Sequence, residues 1–172
     1  IRLQVTSIQI PLGGASEDES LWNLLDTRPV PGASRSRLRV NGFRIGLARR
    51  QDWSRVADAL TGQGARPLKT SVMVVVPGRP VAVPIGRSEY PQSIFLFRTD
   101  GTLEGKDVPP GDTALSLNLT LDPGAPGRLR LSAVPQVRTL QDQTHFVKEE
   151  ARYALRRSPE VLSLYPLAWE MA

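Results

Sequence analysis

Thr113 to Arg138 constrains this chain more than any other stretch. Leu115, Leu117, Leu119 and Leu121 alternate with Ser116, Asn118 and Thr120. Side chains of a strand point to opposite faces with a period of two, so the pattern predicts one apolar and one wet face. Leu129, Leu131 and Ala133 repeat it after Asp122 to Gly127, a connection holding Pro123, Gly124, Pro126 and Gly127. Proline and glycine break a strand and supply the bend. A long antiparallel hairpin with one buried face follows, and the rest of the chain must be compatible with a sheet.

At 172 residues the chain suits one domain, or one domain with a small appendage. The absence of cysteine excludes disulfides, thiolate catalysis and Cys-ligated metal. A single histidine, His145, excludes two-His metal sites. A Ser-His-acid site would also need a nucleophile elbow, and no Gly-x-Ser-x-Gly occurs. We therefore expect no enzyme, no cofactor and no metal, with His145 an ordinary strand or surface residue.

The formal charge is +5. Lys69, Lys106 and Lys148 are the only lysines, so the excess is arginine. A GC-rich genome produces such a composition, and so does a polyanion-binding surface. No run approaches the ~20 apolar residues of a membrane helix. The chain opens at Ile1 within a strand-like pattern, which reads as a processed or partial product whose export signal or neighbouring domain lies outside it.

Ile1, Leu3 and Val5 alternate, and Ile8 and Ile10 resume out of phase, predicting a strand with a bulge near Thr6-Ser7. Ser16 and Glu19 form a capping box ahead of Leu21, Trp22, Leu24 and Leu25, predicting a helix from Glu17 to Asp26. Residues 34 to 46 fit two readings. One is a hairpin around Asn41-Gly42. The other, which we favour, is a helix ending there, followed by a strand from Phe43 to Ala48. Asp52 is an N-cap for a helix to Leu60, with Trp53, Val56 and Leu60 inward. Val72 to Val76 reads as a strand buried on both faces. Pro77, Pro80 and Pro84 mark the region of Val81, Val83 and Ile85 as a sheet edge. Asp100-Gly101 turns a second hairpin between Ser93–Arg98 and Thr102–Lys106. Residues 146 to 157 fit either strand or helix, and Val161 to Trp169 further strand interrupted by Pro166.

Asp100 to Asp107 alternates oxygen ligands, but a solvated turn accounts for it with fewer assumptions than a calcium loop. Asn118-Leu119-Thr120 matches a glycosylation triplet inside a strand, with Asn118 expected to face outward, and we read it as chance. The densest basic cluster is Arg35, Arg37, Arg39, Arg44, Arg49 and Arg50, the candidate polyanion-binding residues. On a nucleic-acid protein these would neutralise phosphates beside a stacking Phe43 or Trp53. As a solvated arginine face they would bind nothing, with Phe43 and Trp53 in the core.

Two stretches carry a resemblance. Leu21-Trp22-Asn23-Leu24-Leu25-Asp26, followed by Arg37 to Gly46 with Asn41-Gly42-Phe43-Arg44-Ile45-Gly46, resembles a group of uncharacterised planctomycete envelope-type proteins. Those show Trp-x-x-x-Asp, a helix-like segment and Asn-Gly-Phe/Leu-Arg-x-Gly. The resemblance extends through the Leu-alternating hairpin to Val134-Pro135-Gln136-Val137, and it favours the helix-then-strand reading of residues 34 to 48. The hairpin is also similar, more weakly, to the strand pair in the ring wall of bacterial secretins. That likeness implies a secretin-like subunit or a domain beside one.

These readings combine into an α+β chain, predominantly β. A mixed helix/strand part over residues 1–66 would pack on an antiparallel β-sandwich or sheet over residues 67–172. The expected role is a non-enzymatic structural module of a bacterial cell-envelope complex. It would act through β-edges, as a homo-oligomer or as a subunit of a larger ring or filament. The alternative is a nucleic-acid-binding module using the Arg35–Arg50 cluster. The expected location is the cell envelope or the extracellular space, with the cytoplasm left open.

Overall fold

The computed structural model describes residues 1–11, 18–98, 100–125, 127–149 and 152–171. The fold is α+β and predominantly β, with antiparallel sheets and three helices. The chain clusters into two units. One comprises Ile1–Val81, Asn118–Ser132 and Trp169–Ala172, and the other Ala82–Leu117 and Ala133–Ala168.

In the first unit, β1 (Arg2–Gln9) pairs antiparallel with β2 (Arg66–Val74), and the register shifts between Ser7 and Ile8, where the phase of the apolar residues breaks. The Ile1 amino group extends the pairing by donating to the Val75 carbonyl at 2.9 Å. Helix α1 (Glu19–Trp22) is shorter than its apolar stripe predicts. Its cap is Asp18, whose Oδ1 accepts from the Ser20 amide at 2.9 Å, and the expected cap Ser16 lies outside the described residues. Helix α2 (Gly32–Val40) settles the two readings of residues 34 to 46 in favour of a helix. The strand expected from Phe43 to Ala48 does not form. Only one bridge does, between Asp26 and Leu47. A strand needs a continuous partner, and here α1's following turn offers a single residue.

Helix α3 (Trp53–Gly62) follows a 3-10 turn at Arg50–Asp52. Asp52 occupies the N-cap position without a side-chain cap bond, and Trp53 is 53% exposed rather than core, leaving Val56 as the buried residue of α3. Val72 to Val76 is also corrected. One face of the segment is left uncovered, so alternate residues reach solvent. Val74 is 79% exposed while Val75 is buried. The buried apolar residues of this unit are Leu21, Val30, Leu38, Val56, Val75 and Leu119.

The second unit holds β4 (Gln92–Phe97) and β5 (Leu103–Val108), paired from Gln92–Val108 to Phe97–Leu103. Gly101, at φ +82°, makes the turn between them. The five-stranded sheet has the order β3–β6–β7–β8, with β9, which belongs to the first unit, also pairing β7. These strands are β3 (Val81–Ser88), β6 (Gly111–Leu121), β7 (Leu129–Glu149), β8 (Arg152–Ser163) and β9 (Trp169–Met171). β6 and β7 are the hairpin read from the leucines, and their ends at Asn118–Ser132 belong to the first unit. β3, which contains Pro84, lies at the end of the order, where a residue without an amide donor is tolerated. Of the two readings of residues 146 to 157, strand holds for the described residues 146–149 and 152–157. Ala114, Leu117, Ala133, Val137, Leu164 and Leu167 are buried here. Gly111 admits no side chain, because a Cβ would meet the Arg138 carbonyl oxygen at 2.5 Å.

Candidate functional site

Two features stand out. The first is a cleft in the first unit. Helix α2 ends in a Schellman motif. The Phe43 amide donates to the Leu38 carbonyl at 2.9 Å, and the Gly42 amide donates to that of Arg39 at 3.0 Å. Gly42 takes φ +79°, a conformation that costs other residues. This turn brings Phe43 back beside Leu38 and sends Arg44 across to α1. There the Arg44 guanidinium lies over the Trp22 ring, 4.1 Å from its centroid, and 3.5 Å from Glu19 Oε1. Asp26 and Leu47 exchange both backbone hydrogen bonds at 2.8 Å, which holds the two segments together. Gly46 passes so close to Leu25 that a Cβ would sit 2.7 Å from it.

The resulting cleft measures about 400 Å³. Trp22, Leu38, Phe43 and Ile45 give it an apolar wall, and Arg35, Arg39 and Arg44 give it cations. Among the described residues no carboxylate lines it. Arg35 Nη1 donates to Thr27 Oγ1 at 3.0 Å. The neighbouring acid Asp26 is already bound: Arg28 donates Nε and Nη2 to its two oxygens at 2.9 Å each. That pairing, with the Arg28 amide bond, lowers the Asp26 pKa to about 2.

The structure thus divides the six candidate arginines. Arg35, Arg39 and Arg44 meet at the cleft, whereas Arg37, Arg49 and Arg50 do not line it. Trp22 and Phe43 line it too, and exposed Trp53 does not. The role of Trp22 was missed in the sequence because its spacing places it on a helix stripe. The segments Leu21–Asp26 and Phe43–Leu47 meet here through Trp22–Arg44 and Asp26–Leu47.

The second feature is the distal part of the β7–β8 pair, in the second unit. Past Arg138, where β6 begins beside it at Gly111, β7 continues with β8 from Asp142–Pro159 to Glu149–Arg152. Phe146 lies opposite Leu155, and Lys148 opposite Tyr153. Directly opposed residues share a face, and so do residues two apart, so Phe146, Tyr153 and Leu155 stand together. They are 75%, 71% and 61% exposed. His145 lies on this strand opposite Arg156, and its side chain is outside the description.

Elsewhere, Asp100 accepts from the Thr102 amide at 2.9 Å and from its hydroxyl at 2.6 Å, so the turn binds its own acid, whose pKa falls through the Thr102 side-chain bond. Asn118 alternates with buried Leu117 and Leu119, on the opposite face of β6, where it is half-buried with Oδ1 enclosed. Among the described residues no group of three metal-ligating side chains occurs, and no helix is long and apolar enough to cross a membrane. Comparisons with family models, curated proteins and solved structures find no match.

Proposed function

We propose that the chain is a non-enzymatic assembly module of a bacterial cell-envelope complex, and that it joins a second copy of itself through the β7–β8 ribbon. The observation that carries this reading is the exposed apolar face of Phe146, Leu155 and Tyr153. A ribbon with this face bare to water gains from covering it. β8 is also the last strand in its sheet order, so its outer edge is available for strand addition. Two ribbons meeting about a two-fold axis would set Phe146 of one copy against Leu155 of the other and satisfy both surfaces with one contact. The envelope location is supported by the resemblance to planctomycete envelope-type proteins, and a ring or filament by the weaker likeness to the secretin strand pair.

The test is light scattering across a concentration series, with negative-stain images of the same fractions. The proposal expects mass to rise with concentration and Phe146→Asp to hold the chain monomeric. A strict monomer at every concentration would sink it.

A further inference from the structure

We propose that the cleft between α1 and the C-terminal turn of α2 binds a small molecule that combines a planar ring with one anionic head group. This goes beyond the assembly reading and stands on a different unit of the chain.

The cleft volume of about 400 Å³ falls in the range of small-ligand sites. Its lining separates into two chemistries. Trp22 and Phe43 offer aromatic surface and Leu38 and Ile45 aliphatic surface, which together suit a flat apolar body. Arg35 and Arg39 lie four residues apart on α2 and both line the cleft. Like charges at this spacing repel. Helix α2, Gly32–Val40, contains no acid to offset them, and among the described residues neither arginine forms an ion pair. An anion held by both guanidinium groups removes the repulsion, and the planar fork of arginine matches a carboxylate or a phosphate equally well. Arg44 already stacks on Trp22, which shows that the ring accommodates a flat cation, and both residues line the cleft. The nearest acids do not compete: Asp26 is held by Arg28, and Glu19 lies against Arg44.

The head group could come from a nucleotide or from an aromatic carboxylate, and one titration distinguishes them. Tryptophan fluorescence of the full chain would be followed with 5′-AMP, 2-naphthoate, adenosine, inorganic phosphate and a single-stranded oligothymidylate. Adenosine lacks the charge, and phosphate lacks the ring. We expect 5′-AMP or 2-naphthoate to bind at least about tenfold more tightly than adenosine or phosphate, the better of the two naming the head group. Arg39→Gln should weaken it by about tenfold, the loss of one charge-assisted hydrogen bond. Arg39 is exposed, so the variant should keep its circular dichroism and melting temperature, and Arg50→Gln, outside the cleft, should bind like the wild type. Equal binding of adenosine, binding of the oligonucleotide alone, or indifference to Arg39→Gln would each overturn the proposal, as would no response to either planar anion.

Discussion

Phe146 stands directly opposite Leu155 in the β7–β8 ribbon, and both are largely exposed. Cross-strand pairs of aromatic and aliphatic residues stabilise a ribbon by ~0.2–1 kcal/mol, less than burial of the same side chains would. The proposed self-association would cover this pair.

Replacing Leu155 with Asp tests this apart from folding. An exposed position tolerates substitution within about 0.5 kcal/mol. At concentrations where both chains are monomeric, Leu155→Asp should leave the urea midpoint nearly unchanged, and at higher concentrations it should abolish the rise in mass.

Leu38 is the opposite case. It is 1% exposed and sits beneath the cleft, three residues before the Asn41 cap. Leu38→Ala should cost about 2–5 kcal/mol through lost transfer energy and a cavity. Urea denaturation followed by circular dichroism measures it.

Gly111 meets the backbone of Arg138 where β6 starts. A methyl group there cannot be relieved by rotating a flexible side chain, since the obstacle is a carbonyl oxygen. Gly111→Ala should destabilise the chain by about 1–3 kcal/mol. Gly78→Ala makes a useful contrast, because nothing lies near its added carbon and its cost arises only from φ +80°.

Asp26 gives a pH prediction. Its pKa is lowered from 3.8 to about 2, first by the side-chain bond from Arg28 and then by the Arg28 amide. A depressed acid stabilises the fold above its unfolded pKa, and that contribution disappears as pH falls through the folded value. The window therefore runs from 3.8 down to about 2. Carboxyl-carbon NMR should show Asp26 titrating near the lower figure, and Arg28→Ala should move it up toward the ordinary value. The site is exposed, so the effect on stability is small.

Much of the local structure was readable from residues alone. Leucine alternation predicted β6 and β7, because a strand half buried in a sheet imposes a period of two. Asn41-Gly42 marked a chain reversal that residues alone left open between a hairpin turn and a helix end; it proves to be the end of α2, where Gly42 takes the positive φ of the Schellman turn. Asp100-Gly101 predicted the β4–β5 turn, because glycine is at ease with positive φ. The failures have a common cause. Val72 to Val76 looks buried on both faces, yet burial depends on what packs over each face, and Val72, Val74 and Val76 remain exposed. Trp53 fits a helix stripe, but periodicity does not say what packs against the stripe. Phe43 to Ala48 lacked a partner strand and became an extended segment with one bridge.

The cleft shows the same division. Its basic character could be read from the arginine cluster, but which arginines converge could not. Arg35 and Arg39 share a helix face by spacing. Arg44 joins them only because Gly42 reverses the chain and the Asp26–Leu47 bonds bring the returning segment against Trp22. Backbone geometry and side-chain period are local, so the amino-acid order determined strands and turns. Partners, edges and the meeting of distant residues depend on contacts separated along the chain, and these the tertiary structure alone decided.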